Sequence, residues 1–331
     1  MNPPGGAFLP QCRHIFGPVP SRRLGLSLGV DLTPFKTCSL DCVYCQLGIT
    51  TIKTIERREF FPQGEILDEL QTVLSSVNKP DYITFSGSGE PTLHSGLGKL
   101  IQAIKHMTGI PVCVITNGSL LWMPDVRADL ARADIVIPSL DAGDEETFVR
   151  VNRPHSGITF DMLLEGLIRF RKEYCGQIWL EVFLVRGITD TPEQVRRIAA
   201  EVSRIAPDRV QINTAVRPAA EHSVQPVPRD VLVSLLPLFG PGAEIIADYP
   251  SHETSEHKSA SDQDVLELLA RHPGTAMDVV QGLGITPQEA DMILTALIAR
   301  GCIIPEMVNG NQFYRKMEQA FPPCDDHPQE Q

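Results

Sequence analysis

Hydrophobic and polar positions alternate between two periods along about the first 215 residues. Short apolar runs, typical of buried strands, are separated by longer stretches in which apolar residues recur at helical spacing, as in Phe160–Phe170. This alternation predicts parallel strands joined by crossover helices. The predicted strands are Leu28–Leu32, Tyr82–Ser86, Val112–Thr116, Ile135–Leu140, Ile178–Leu184 and Val210–Thr214. The predicted helices are Gly64–Ser76, Gly96–Met107, Asp125–Arg132, Phe160–Tyr174 and Pro192–Ile205.

Six strand and helix units predict an α/β fold, a partial (β/α)6 TIM-like barrel. In such sheets the functional groups lie at the carboxyl ends of the strands. Candidate chemistry follows those ends here: three cysteines, the segment Gly87–Leu93, Asn117-Gly118, the pair Ser139 and Asp141, and Arg217-Pro218. We therefore expect these residues to meet at one edge of the barrel.

The pattern changes after the sixth strand and predicts a second, smaller domain. A helix is expected over Arg229–Phe239, and Gly240-Pro241-Gly242 ends it. The predicted division is a core at 1–240 with an N-terminal extension at 1–17, a linker at 241–258, a winged-helix-like domain at 259–316 and a flexible tail at 317–331. The last domain is predicted from helices at Asp262–Arg271, Ala276–Leu283 and Gln288–Arg300, then a hairpin at Cys302–Tyr314 turning at Asn309-Gly310.

Composition narrows the function classes. The 331 residues are 42% hydrophobic and 21% charged, which is typical of a globular protein. A net charge of −12 disfavours binding to nucleic acid or anionic lipid, and residues 261–316 carry seven acidic against four basic side chains. No apolar run is long enough for a membrane helix, and the start lacks a secretory signal. A cytoplasmic, reducing location is expected.

Cys38, Cys42 and Cys45 are the strongest chemical signal, directly after the first predicted strand. Three thiolates in one short loop can ligate three irons of a four-iron cluster, whereas clusters that only transfer electrons normally take four cysteines. One iron would then be open to another ligand. A structural zinc site is the alternative, but such sites usually have four ligands in paired Cys-x-x-Cys spacing. His252 and His257 are five apart in a polar segment, which indicates a solvated linker better than a zinc protease motif.

With these residues in view, about 18–218 of the chain resembles a radical S-adenosylmethionine (radical SAM) enzyme. The most specific elements are the three cysteines, with Tyr44 before the last, and the Gly89-Glu90-Pro91 turn. Within the superfamily, four segments resemble the wyosine-synthase-like Fe–S oxidoreductase group: Val19–Gly25, Phe35–Cys38, Cys45–Gly48 and Gly89–Leu93. The resemblance implies a [4Fe-4S] cluster on the cysteines and S-adenosyl-L-methionine (SAM) on the open iron. Reductive cleavage of SAM would give a 5′-deoxyadenosyl radical that abstracts hydrogen from an unknown substrate, with flavodoxin or ferredoxin as reductant.

The same resemblance implies SAM contacts. Tyr44 would lie against the adenine, and backbone carbonyls of Ser88, Gly89 and Glu90 would meet the methionine ammonium. Ser139 and Asp141 are similar to positions that contact the ribose hydroxyls or the methionine carboxylate, although both also suit the cap of a helix near Asp144. Asn117 would bring its amide to the ligand or serve as a turn residue. No catalytic residue is assigned. Near the same rim, an anionic substrate or the cofactor carboxylate could be held by Lys36, Arg22, Arg23 and Arg217, although most Lys and Arg side chains are simply exposed to solvent.

Three further readings stay open. A cluster-bearing redox regulator would use the C-terminal domain to bind DNA. A tRNA-modifying wyosine-type synthase would need a basic patch, for which the candidates are Arg22, Arg23, Lys36, Lys53, Arg57 and Arg58. Relatives of that kind also carry a second cysteine cluster near the N-terminus, whereas Cys12 stands alone there. An enzyme acting on a protein or peptide would use the C-terminal domain for docking.

Overall fold

The computed structural model describes residues 14–21, 23–77, 79–221, 223–247, 260–271, 273–308 and 310–317. Several predicted features lie outside these residues: most of the N-terminal extension with Cys12, Arg22, most of the linker with His252 and His257, Asn309 of the hairpin turn, and the tail from 318 onward.

An eight-stranded sheet forms the body of the protein and confirms the partial barrel. Its strand order is β1-β2-β5-β6-β7-β8-β9-β10, and every neighbouring pair from β2 to β10 is parallel, while β1 is antiparallel to β2. The strands are β1 (Ile15–Ser21), β2 (Gly25–Val30), β5 (Tyr82–Phe85), β6 (Val112–Thr116), β7 (Ile135–Pro138), β8 (Gln177–Leu184), β9 (Arg209–Thr214) and β10 (Ala243–Ile245). A two-stranded ribbon, β3 (Thr37–Cys38) with β4 (Ile52–Lys53), lies between β2 and β5 in sequence.

Helices cover the outside of this sheet, and their termini follow local sequence chemistry. They are α1 (Gln63–Leu74), α2 (Leu97–Met107), α3 (Pro124–Leu130), α4 (Glu145–Asn152), α5 (Phe160–Glu173), α6 (Pro192–Ile205) and α7 (Arg229–Leu235), with 3-10 turns at Pro91–Leu93 and Leu236–Phe239. Thr191 caps α6 by accepting a hydrogen bond from the Gln194 amide, and Pro192 occupies the first helical position. The helices bury one large core against the sheet, with Phe85, Phe148 and Phe170 fully enclosed.

Several elements of this body were not predicted, among them β1, β10 and α4. β1 contains two prolines, which suit an edge strand because proline lacks a backbone donor. β10 has three residues and falls within the predicted linker. α4 has only eight residues, and the Asp144 side chain caps it by accepting from the Thr147 amide at 2.8 Å.

No helix begins in the described residues 43–48, which follow the first two cysteines. The chain there makes successive turns, in which the Cys45 amide donates to the Cys42 carbonyl at 3.1 Å and the Gly48 amide to the Cys45 carbonyl at 3.2 Å. These turns place Cys42 and Cys45 in the same cavity lining as Cys38.

Residues 260–317 form the C-terminal module, which has a small core of its own centred on Val265, Val279, Leu294 and Leu297. Its elements are α8 (Asp262–Arg271), β11 (Gly274–Thr275), α9 (Ala276–Leu283), α10 (Pro287–Ala299), β12 (Ile303–Val308) and β13 (Asn311–Lys316), with sheet order β11-β13-β12. Helices α8 and α9 pack against β1 at the edge of the barrel. The module therefore sits against the first strand rather than apart from the core.

Among the described residues, no helix has both the length and the apolar character that crossing a bilayer would require.

Candidate functional site

A cavity of about 420 Å³ opens at the carboxyl ends of the parallel strands. Its lining residues form two groups that differ in chemistry, which we call walls. The cysteine wall comprises Cys38, Cys42, Tyr44, Cys45, Gly89, Glu90 and Asn117, and the arginine wall comprises Ser21, Arg23, Glu181, Asn213 and Arg217. Ser139 lines the cavity as well. The strand ends named from sequence thus meet at one edge of the barrel.

The cysteine loop is anchored at both ends by backbone hydrogen bonds. The Thr54 amide donates to the Cys38 carbonyl at 3.0 Å, which continues the ribbon of β3 and β4. On the other side, the Asp41 and Val43 amides each donate at 2.9 Å to carbonyls at the end of α4, those of Asn152 and Val151. These bonds hold the loop in place without a ligand, because their partners outside the loop lie in α4 or directly after β4.

Each cysteine sulfur accepts a hydrogen bond from a nitrogen-bearing side chain. The donors lie at 3.1 Å for Lys36 Nζ to Cys45 Sγ, 3.4 Å for Asn117 Nδ2 to Cys38 Sγ, and 3.4 Å for Asn152 Nδ2 to Cys42 Sγ. Asn152 is a site residue that sequence reasoning missed, since it lies 110 positions from Cys42 and no local motif marks it.

Burial raises the pKa of the Cys38 and Cys42 thiols in the metal-free chain. It raises the pKa of Cys38 to about 12, with the Glu90 carboxylate adding to the effect. Burial also raises the pKa of Cys42 well above its ordinary value, reinforced by Asp141. Metal binding must therefore displace protons from these sulfurs, and thiolates coordinated to iron would offset the charge penalty.

The donor set fits an iron–sulfur cluster better than one zinc ion. Three soft sulfurs face a common cavity, and the cavity continues past them to accept a further ligand. Within the described residues, no three His, Cys, Asp or Glu side chains surround a point that would suit a single metal ion. Each cysteine of a cubane cluster binds a different iron, so its sulfurs need not converge on one point.

Glu90 of the cysteine wall links the turn after β5 to the end of β6. Its Oε1 accepts from the hydroxyls of Thr92 and Thr116, both at 2.6 Å, and its Oε2 accepts from the Asn117 amide at 2.8 Å. Burial raises its pKa, while these donors act in the opposite direction. The side chain therefore holds the turn after β5 against the end of β6, which orients Asn117 towards Cys38.

Tyr44 is held by a second buried network. Its ring stacks on Phe183 with centroids 3.8 Å apart, and its hydroxyl donates to Asp141. Asp141 also accepts from Asn152 Nδ2 at 2.7 Å and from the Phe183 amide at 3.0 Å. Burial raises the pKa of Asp141 to about 6 despite these donors.

Not every residue proposed from the sequence reaches the cavity. Asp141 lies behind Tyr44, where its carboxylate supports the wall. Ser88 is turned away: its hydroxyl donates to Asp31 at 2.5 Å, and its carbonyl accepts from the Lys36 amide at 2.7 Å. That carbonyl is consequently engaged by the protein, whereas Gly89 and Glu90 line the cavity, as does Gly87 at the start of the turn.

Gly89 is required by packing inside the protein. A Cβ there would lie 2.0 Å from the Thr37 carbonyl oxygen and 2.7 Å from Thr33 Oγ1. The turn after β5 thus lies directly on the segment leading to Cys38, so a larger residue would separate the two.

The arginine wall is built from two ion pairs. Arg23 pairs with Glu181, whose side chains are 11% and 13% exposed. Arg217 Nη2 lies 3.7 Å from Asp278 Oδ1, and Asp278 belongs to α9 of the C-terminal module. The Asp278 carboxylate also accepts a hydrogen bond from the Thr275 amide at 2.8 Å, as part of a capping box. The module therefore contacts the rim of the cavity through a residue fixed at its own helix start.

Known proteins that are similar to this chain in sequence or structure support the same interpretation of this site. The model of the Radical SAM superfamily matches residues 32–201. A UPF0026 protein of Methanocaldococcus jannaschii is 34% identical over 308 residues, covering 91% of this chain and 95% of that protein. GTPase Obg of Brachyspira hyodysenteriae is 40% identical over 301 residues, covering 90% of this chain but only 44% of that protein. The chain thus spans less than half the length of that relative.

Among solved structures, a radical SAM methyltransferase from Sphaerobacter thermophilus shares the fold at a TM-score of 0.52 and 15% identity, covering 66% of this chain and 65% of that one. Members of the matched superfamily bind a [4Fe-4S] cluster and SAM. Family match, parallel barrel and the three-cysteine cavity lead to one conclusion: the chain belongs to the radical SAM superfamily and is an enzyme of that type.

Proposed function

We propose that this enzyme cleaves SAM reductively at the cysteine wall and uses the 5′-deoxyadenosyl radical to abstract hydrogen from a substrate bound towards the arginine wall. The observation that carries the proposal is the cavity itself, which joins three cysteine sulfurs to a turn of Gly89 and Glu90. When bound, the cluster supplies the electron and SAM supplies the radical group.

The chain's own residues would bind and orient these groups. Cys38, Cys42 and Cys45 would hold three irons, and the backbone of Gly89 and Glu90 would face the methionine ammonium. Tyr44 would offer its backbone and ring edge to the adenine, since its hydroxyl already donates to Asp141. Ser139 would contribute a polar group at the same level. Asn117, whose amide is hydrogen-bonded to Cys38, Ser39 and Ser119, would support the site from behind together with Asp141 and Ser88.

The test is deoxyadenosine formation. Anaerobic reconstitution with iron and sulfide, then dithionite and SAM, should yield 5′-deoxyadenosine from the wild-type chain and none from Cys42→Ser. Cys175→Ser is the matched control, because Cys175 is exposed and distant in sequence from the loop. A fully loaded cluster that never yields deoxyadenosine would reject the proposal.

The C-terminal module is proposed to be winged-helix-like and to belong to the substrate side. It packs on β1, whose residues Phe16, Val19, Pro20 and Ser21 line the cavity, and it supplies Asp278 to Arg217. A protein or peptide substrate docking on this module is consistent with the contact. A role as a DNA-binding regulator would leave the cavity without a purpose.

A tRNA substrate is not favoured by the basic residues considered for it. Arg23 is paired with Glu181, Lys36 points to Cys45, and Arg57 is bonded to Asp125 and Asp129. These three charges face inward, whereas Lys53 and Arg58 are exposed. Two exposed cations neutralise too few phosphates to hold a nucleic-acid backbone tightly. We further propose that the enzyme is cytoplasmic and that flavodoxin or ferredoxin reduces it, because an oxygen-sensitive cluster suits a reducing compartment.

A further inference from the structure

We propose that Lys36, Asn117 and Asn152 are positioning residues that set the reduction potential of the cluster, each by donating one N–H to a different cysteine sulfur, with Lys36 exerting the largest effect. The proposal rests on a cluster bound at the three cysteines. It does not depend on which substrate the enzyme uses.

The three donors come from separate parts of the fold. Lys36 precedes β3, Asn117 follows β6 and Asn152 ends α4, yet their nitrogens lie 3.1, 3.4 and 3.4 Å from Cys45, Cys38 and Cys42 in that order. Lys36 is 3% exposed and Asn152 is 2% exposed. Each sulfur has its own donor, and the three donors come from separate parts of the chain. The arrangement is therefore set by the fold as a whole and not by one loop.

Lys36 is held in an unusual backbone conformation that directs it inward. Its φ is +56°, in the left-handed region that a residue with a Cβ rarely adopts. The conformation is secured because its amide donates to the Ser88 carbonyl at 2.7 Å and its carbonyl accepts from Thr51 and Ile52, both at 3.1 Å. Lysine is almost never fully buried unless it is paired, and the partner here is Cys45.

The two asparagines have their amide orientation fixed from behind. Asn117 Nδ2 also donates to Ser39 Oγ at 2.9 Å, and its Oδ1 accepts from the Ser119 amide at 2.9 Å. Asn152 Nδ2 also donates to Asp141 at 2.7 Å, while the buried Asn152 Oδ1 has no hydrogen-bond partner in the described part of the chain. Rotating that amide would turn oxygen towards the carboxylate and the sulfur, so the donor orientation is the stable one.

Reduction of the cluster adds one negative charge that is shared with its sulfurs. A donor to sulfur stabilises the reduced state more than the oxidised state and so raises the potential. A charged donor acts more strongly than a neutral amide in a buried site, because the effective dielectric constant there is low. Lys36 should therefore contribute more than either asparagine.

The test is a redox titration of the reconstituted holoenzyme followed by electron paramagnetic resonance, in the absence of SAM. Lys36→Met keeps the side-chain length and removes the charge. At a fixed potential, we expect its ratio of reduced to oxidised cluster to fall about tenfold, which corresponds to about 59 mV for one electron. Asn117→Leu and Asn152→Leu should each lower the ratio about threefold.

Lys53→Met is the matched control, because Lys53 is exposed and its ammonium donates to the Arg153 carbonyl at 3.1 Å, away from the sulfurs. Its titration should overlay the wild type. Iron and sulfide content is measured on every sample, and Lys36→Arg, which keeps the charge and N–H donors, is carried alongside in case Lys36→Met loads poorly. Lys36→Arg should stay within about twofold of the wild type.

Loaded variants of Lys36 and both asparagines that titrate together with the wild type would overturn the proposal. So would a Lys36→Arg shift as large as that of either asparagine variant. Because no SAM is present, failure here is distinguishable from failure of deoxyadenosine formation, which would affect the wild-type chain as well.

Discussion

The two walls of the cavity differ in how they are held. The polar side chains of the cysteine wall form hydrogen bonds within the barrel, as Tyr44, Glu90 and Asn117 show. The arginine wall relies on ion pairs, and one of them, between Arg217 and Asp278, reaches into the C-terminal module. The cysteine wall thus has one arrangement imposed by the sheet, whereas the arginine wall depends on how the module sits against β1. We therefore expect the shared chemistry on the first wall and substrate selection on the second.

The largest effect is expected from Glu90→Ala on the cysteine wall. The change leaves the buried donors of Thr92, Thr116 and Asn117 without their acceptor, so the free energy of unfolding should fall by about 4 kcal/mol. Urea unfolding of the metal-free chain measures it. Glu193→Ala is the control, because that side chain is 73% exposed in a surface ion pair and should cost less than about 0.5 kcal/mol. Equal losses in the two variants would contradict the assignment.

Asp141→Asn should change how stability depends on pH. Burial holds the pKa of Asp141 at about 6 instead of 3.8, so the folded state binds this proton more tightly than the unfolded state. This proton therefore adds to the free energy of unfolding below about pH 4, and the contribution is lost as the pH rises past about 6. The free energy of unfolding changes by about 3 kcal/mol across this range. The variant should lack this decline, which urea unfolding at pH 4, 5, 6 and 7 would reveal. Parallel curves for the two chains would refute it.

A smaller effect is expected on the arginine wall from Asp278→Asn. The side chains of Arg217 and Asp278 are 8% and 10% exposed, but their charged atoms are 3.7 Å apart. The free energy of unfolding should therefore fall by about 2 kcal/mol, which lies between the values for surface and buried ion pairs. A double-mutant cycle with Arg217→Gln should give a coupling free energy of about 1 kcal/mol. The comparison pair is Arg300 and Asp262, about half exposed, for which coupling should be below about 0.5 kcal/mol. Coupling no larger than in that pair would mean that the module is not joined to the cavity rim through Asp278.

The smallest effect is expected from Met292→Lys in the C-terminal module. Met292 is 73% exposed on α10, outside the core of the module. The free energy of unfolding should change by less than about 0.5 kcal/mol, as measured by urea unfolding. Leu294→Lys is the contrasting variant because Leu294 is 1% exposed, and it should unfold the module. A large loss from Met292→Lys would show that this face is covered.

The alternation of apolar and polar residues was sufficient for the barrel because strand and helix periods are local properties. All six predicted strands are present with bounds within about three residues. The additional strands β1 and β10 could not be predicted, since their pairing depends on edges that exist only once the sheet has formed. α4 was not predicted because Phe148 and Val151 are its only buried apolar side chains, which are too few to show a helical period.

For the site, the sequence determined the three cysteines, the Gly89-Glu90 turn and their meeting at one edge, since residues at the carboxyl ends of parallel strands must converge. Only the tertiary structure decided which neighbours face the ligand. It turned Ser88 towards Asp31, set Asp141 behind Tyr44 and brought Asn152 to Cys42 across 110 positions. Side-chain direction and long-range hydrogen bonds depend on packing, which no local spacing encodes.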